Sequence, residues 1–188
     1  MKTNVEKSFE IDQPIDKVWN LLSDPNQVVV CVPGASITEK VDDQNYKGKV
    51  SLKFGPVKAS YDGAIEIQEL NHASKKMVLK GNGLDSKGKG SAEMIMNGVL
   101  SETDGGTSAN FTMDITITGK LAQFGARLIN EVNDHLFKQF IQNFKAELSG
   151  EGNGGEKDKD HTLSAGSVVG GIVKDKLGGI FGTKKDAD

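Results

Sequence analysis

One cysteine, Cys31, in 188 residues excludes an internal disulfide framework. Long apolar runs are missing too: no stretch reaches the ~18 residues that an ordinary membrane-spanning helix needs. The polar start MKTNVEKSFE lacks the apolar run of a secretory signal, so a cytoplasmic protein is expected. Charge is nearly balanced, with 23 Lys plus Arg against 26 Asp plus Glu, and no basic run is interleaved with aromatics. Nucleic acid is therefore not an expected partner. The three histidines, His72, His135 and His161, have no second His or Cys at ligand spacing, which argues against a metal site. Cys31 has no histidine near it in sequence and reads as a buried inert thiol rather than a nucleophile. GNGLDSKGKG resembles a phosphate loop only in its glycines; it bridges two strand patterns and no Gly-Lys-Ser/Thr follows, so it reads as a hairpin.

What is present is alternation. TNVEKSFEI reads as a first strand, and after DQP the stretch IDKVWNLLSD puts Ile15, Val18, Trp19 and Leu22 on one helical face, with Asp12 as the expected cap. A brief apolar segment, NQVVVCVPGA, ends at Pro33-Gly34. From Asn45 the sequence predicts a meander of about six strands, with turns at Gly55-Pro56, Asn71-His72, Asp85 to Gly88 and Asp104 to Gly106. Val50, Leu52 and Phe54 share one face, as do Val57, Ala59, Tyr61, Ile65 and Ile67; Met77, Leu79, Met94, Met96, Phe111, Met113, Ile115 and Ile117 carry the same inward phase. Glycines inside the strands, Gly48, Gly63, Gly81, Gly90 and Gly98, suit a bent sheet. One long helix from Lys120 to Leu148 then presents Leu121, Phe124, Leu128, Val132, Leu136, Phe140 and Phe144 at helical spacing.

The predicted fold is α+β. A curved antiparallel sheet of about seven strands wraps on a long C-terminal helix, with short helices after the first strand. Such a grip leaves room for an apolar cavity. Its expected lining is Phe54, Tyr61, Met77, Met94, Met96, Phe111, Met113, Ile115, Phe124, Leu128, Val132 and His135. Methionine adapts to irregular apolar guests but also serves as plain core filler, and an inward Tyr61 or an edge His135 has the same two readings.

Composition changes at Ser149. Residues 149–163 form a glycine-rich, charged linker between the body, 1–148, and a tail, 164–188. In the tail Val168, Val169, Ile172, Val173, Leu177, Ile180 and Phe181 form a broad apolar arc on a helical wheel. Four interior glycines cost about 1 kcal/mol each in a helix, so the tail is expected to order only on contact with an apolar phase. It is too short to cross a bilayer. A membrane surface, a protein groove, or its own body are the possible contacts, in that order of preference.

CVPGA at 31–35, FGPVKASYDGAIEI at 54–67, GNGLDSKGKGSAEM at 81–94 and above all GKLAQFGARLINEVNDHLFKQF at 119–140 resemble the CoxG family of carbon monoxide dehydrogenase proteins. That family belongs to the helix-grip superfamily that includes START and Bet v 1 proteins. The resemblance implies a non-catalytic accessory protein of molybdenum hydroxylases of the carbon monoxide dehydrogenase type. It further implies recruitment of such an enzyme to the inner face of the cell membrane and a cavity for a quinone such as menaquinone, with no covalent cofactor and no catalytic residues. Two other readings stay open: a helix-grip hydrolase or cyclase using His135 or Tyr61 on a small apolar substrate, and a pure assembly factor whose cavity is simply core.

Overall fold

The structure, a computed structural model, describes residues 1–55 and 57–150. The tail, nearly all of the linker and the side chains of Phe54 and Val57 lie outside the described residues. Strand β1 (Lys2–Ile11) is followed by α1 (Ile15–Ser23), the single-turn α2 (Pro25–Val28) and a 3-10 turn, Val29–Cys31. Strands β2 (Ala35–Lys40), β3 (Asn45–Phe54), β4 (Val57–Asn71), β5 (Lys76–Asp85), β6 (Ser91–Thr103) and β7 (Gly106–Ile117) follow as a meander. With β1 closing onto β7, they make one antiparallel sheet in the order β1-β7-β6-β5-β4-β3-β2. A 3-10 turn, Gly119–Phe124, leads to the long helix α3 (Gly125–Ser149).

Two local details differ from the sequence reading. No side chain caps α1, whose N-cap is Pro14; Asp12 stands too far back, and it is Asp24 that caps the next helix by accepting from Asn26 N. The last helix begins at Gly125 rather than Lys120. Gly125 adopts φ 78°, a left-handed conformation that breaks the periodicity, so Leu121 and Phe124 stand on a separate 3-10 turn.

One half of the molecule is densely packed. Trp19 and Val18 from α1, Phe9, Leu100, Ala109 and Phe111 from the sheet, Cys31, and Phe144 and Leu148 from α3 are buried in a single cluster. Phe9 is its hub, with ring centroids 5.9 Å from Phe111, 5.9 Å from Phe137 and 6.1 Å from Phe144. Each such aromatic pair adds about 0.5–1.5 kcal/mol to the burial of its area. At the rim Trp19 Nε1 donates to His72 Nδ1 at 2.9 Å, which satisfies the one polar group of the buried indole.

Side-chain contacts set the register of α3. Thr3 Oγ1 donates to Asn130 Oδ1 at 3.4 Å, Lys7 pairs with Asp134, and Phe9 meets Phe137, so β1 and α3 run alongside each other. On the other flank Asn143 Nδ2 donates to the Cys31 carbonyl at 3.2 Å and ties the helix to the Val29–Cys31 turn.

Candidate functional site: the trough beneath the long helix

Residues paired directly across antiparallel strands point to the same face of a sheet. One rung runs Lys7, Phe111, Gly98, Met77, Leu70 from β1 to β4, and the next runs Val5, Met113, Met96, Leu79, Ile67. A third runs Thr3, Ile115, Met94, Gly81, Ile65 and on to Tyr46. Because Lys7 and Thr3 reach α3, all three rungs lie on the face beneath the helix. The inward phase expected for the four strand methionines is therefore the observed one.

Burial changes along these rungs. Met77 is 2% exposed and Phe111 is buried with it, inside the packed half. Leu79, Met94, Met96, Met113 and Ile115 are only half-buried, although they face the helix. Ile65, on the same face, is 42% exposed. A close-packed interior leaves few gaps as large as a water molecule, so an inward isoleucine this open marks a space between the sheet and the N-terminal half of α3. Glycines deepen that trough: a Cβ on Gly81 would touch Met94 Cε at 3.5 Å, and one on Gly83 would press Tyr61 Cβ at 3.3 Å.

The helix supplies the other wall. Ile129 and Val132 are buried, and Leu128 and His135 are half-buried. Leu128, Val132, His135, Gln139 and Asn143 share one flank, which the Asn143 bond turns toward the Val29–Cys31 turn; His135 thus stands beside the trough rather than over its centre. Phe124 is 42% exposed at the open end, where Lys120 N–H donates to the Lys89 carbonyl at 3.3 Å and joins the Gly119–Phe124 turn to the β5–β6 turn. Half-buried Tyr61 stands in the next inward position of β4, with its hydroxyl pKa raised by burial and then by the Asp85 carboxylate.

Asn133 is the residue that sequence reading missed. It lies four residues after buried Ile129 and four before Phe137, in the middle of the arc that faces the sheet. Helical phase alone would have found it, had polar residues been counted along with apolar ones. Among the described residues two buried side-chain atoms have no hydrogen-bond partner, Asn133 Nδ2 and Gln139 Oε1. A buried donor left unpaired costs about 1–3 kcal/mol.

Reactive chemistry is sparse. Among the described residues no three His, Cys, Asp or Glu side chains group as metal ligands. Burial, and then Glu147, push the Cys31 thiol up to about 11, which suits an inert core thiol. A separate depression of about 370 Å³ between the β1–α1 corner and the β6–β7 turn is walled by Asp12, Asp16 and Glu102; it is open and acidic, the opposite of what an apolar guest needs. No helix among the described residues is long and apolar enough to cross a membrane.

Comparison with solved structures finds the same helix-grip fold. A conserved protein from Geobacillus kaustophilus is 23% identical with a TM-score of 0.69, over 80% of this chain and 97% of that one. The Mll3558 protein from Rhizobium loti is 10% identical with a TM-score of 0.56, over 78% and 97%. ZhuI aromatase/cyclase from Streptomyces sp. R1128 is 13% identical with a TM-score of 0.51, over 81% and 94%. At these identities the likeness establishes the fold alone. No curated relative matches the sequence. The model of the carbon monoxide dehydrogenase CoxG family matches residues 8–149, from the first strand to the end of α3, and the chain belongs to that family.

Proposed function

We propose that this protein holds an apolar small molecule, an isoprenoid quinone such as menaquinone, in the trough beneath α3. It acts as a non-catalytic accessory of a molybdenum hydroxylase of the carbon monoxide dehydrogenase type, which it brings to the membrane through residues 164–188. Family membership implies the association with carbon monoxide dehydrogenase. The observation that carries the ligand reading is the 42% exposure of Ile65 on a face otherwise committed to the helix. A pure assembly factor would gain nothing from leaving that face unfilled, since each buried aliphatic side chain contributes about 1.5–3 kcal/mol. The sparse reactive groups around the trough favour carriage over turnover.

Flotation on liposomes tests both halves, comparing the full chain with one ending at Gly150 and extracting each preparation for mass spectrometry. The expected result is that only the full chain floats while both carry quinone. If neither preparation carries an apolar molecule, the trough is not a ligand site. If both float equally, the tail is not the tether.

A further inference from the structure

We propose that Asn133 is the polar anchor of the trough: its Nδ2 donates a hydrogen bond to a carbonyl oxygen on the ring of an apolar guest, which enters ring first. This rests on the ligand reading above and adds an orientation to it. Thr3 bonds Asn130 and Lys7 pairs with Asp134, so residues 130–134 of α3 pass over residues 3–7 of β1. Val5 lies midway, and its rung continues through Met113 and Met96 to Leu79. Asn133, on the sheet-facing arc, therefore looks onto that rung. There the packed half ends, with Met77 and Phe111 buried one rung further in, and the open half begins.

An amide donor at the inner end of an apolar trough, buried and unpartnered, selects a guest with an acceptor at its leading end. Around it Met96, Met113 and Ile115 offer only apolar surface, so the guest must otherwise be a hydrocarbon. A carbonyl-bearing ring meets both conditions. Its hydrocarbon chain would trail past Met94 and Ile65 toward exposed Phe124 at the open end.

The test uses the full chain and two ring probes of the same shape, 2-methyl-1,4-naphthoquinone and 2-methylnaphthalene, with binding measured by calorimetry. In the Asn133→Leu chain the quinone is expected to bind about five- to tenfold more weakly and the hydrocarbon within about twofold of the parent. The infrared carbonyl band of the bound quinone, shifted in the parent, should return to its unbonded position. Without ligand the same variant should unfold at a higher temperature, because an unpaired donor has been removed from an apolar face. An Asn133→Asp chain keeps the size but loses the donor, and should weaken quinone binding at least as much. Equal weakening of both probes, or unchanged quinone affinity, overturns the assignment while leaving the trough as a ligand site. Failure of both probes to bind the parent overturns the ligand reading and this one with it.

Discussion

Tyr46 and Ile65 are direct partners across β3 and β4, yet the tyrosine is 6% exposed and the isoleucine 42%. Two side chains on the same face of one rung differ this much only if something covers one and not the other. The tyrosine sits near the sheet's edge, toward β2, while the isoleucine faces unfilled space. The trough thus lies over β4 to β7, roofed by the first half of α3.

Enlarging Ile65 should fill that space from the protein's side. An Ile65→Phe chain would point its ring into open volume and displace no neighbour, so its stability to urea should stay within about 0.5 kcal/mol of the parent. Retention of any copurified apolar ligand should fall about tenfold by mass spectrometry. A large loss of stability would show that the volume is already occupied by protein.

Two glycines on the same face predict opposite outcomes. A Cβ on Gly98 would lie 2.9 Å from Met77 Cγ and 3.0 Å from Phe111 Cε1, inside the packed half. Gly98→Ala should therefore cost about 1–3 kcal/mol in urea unfolding, as overpacking does. At Gly81 the nearest atom is Met94 Cε at 3.5 Å, an ordinary contact, and Gly81→Ala should change stability by no more than about 0.5 kcal/mol. Equal costs would mean that the packing does not change between these rungs.

Cys31 links stability to alkaline pH. Its thiol is fully buried, and its pKa is raised from 9.0 to about 11 by loss of solvent first and Glu147 second. A raised folded-state pKa means that the unfolded chain gives up the proton first. Stability from this group is complete below pH 9 and is lost as pH rises toward 11, by about 2–3 kcal/mol across the window. Urea unfolding from pH 8 to pH 10.5 should show the decline in the parent and a flatter profile in Cys31→Ala. Iodoacetamide should leave the native thiol unmodified at pH 8.

The faces of the strands were readable because they follow a period of two: Met77, Met94, Met96 and Met113 all point under the helix as their phase requires. Depth along those faces was not. Nothing local distinguishes Met77, locked against Phe111, from Met94, which borders the trough; that depends on where α3 crosses, and the crossing is fixed by contacts such as Thr3–Asn130, 127 residues apart. Two of the expected lining residues, Met77 and Phe111, accordingly fall in the packed half, and Phe124 falls off the helix at Gly125. Phe54 and the seven apolar tail residues lie outside the described residues, where only the sequence speaks for them.

The methionines themselves offer a last test of where the trough ends. Oxidation to the sulfoxide follows access, and the four strand methionines differ in that respect although they share one face. Met94, Met96 and Met113 are half-buried along the open rungs, whereas Met77 is 2% exposed. Dilute peroxide should therefore oxidise the first three well before Met77, read peptide by peptide in a mass spectrometer. Loading the chain with 2-methyl-1,4-naphthoquinone should slow Met96 and Met113 most, since they lie on the rung beneath Asn133, and should leave Met77 unchanged. If all four react at one rate, oxidant reaches them by unfolding rather than through the trough. If quinone protects Met94 alone, the ring stops at the third rung and its carbonyl does not reach Asn133.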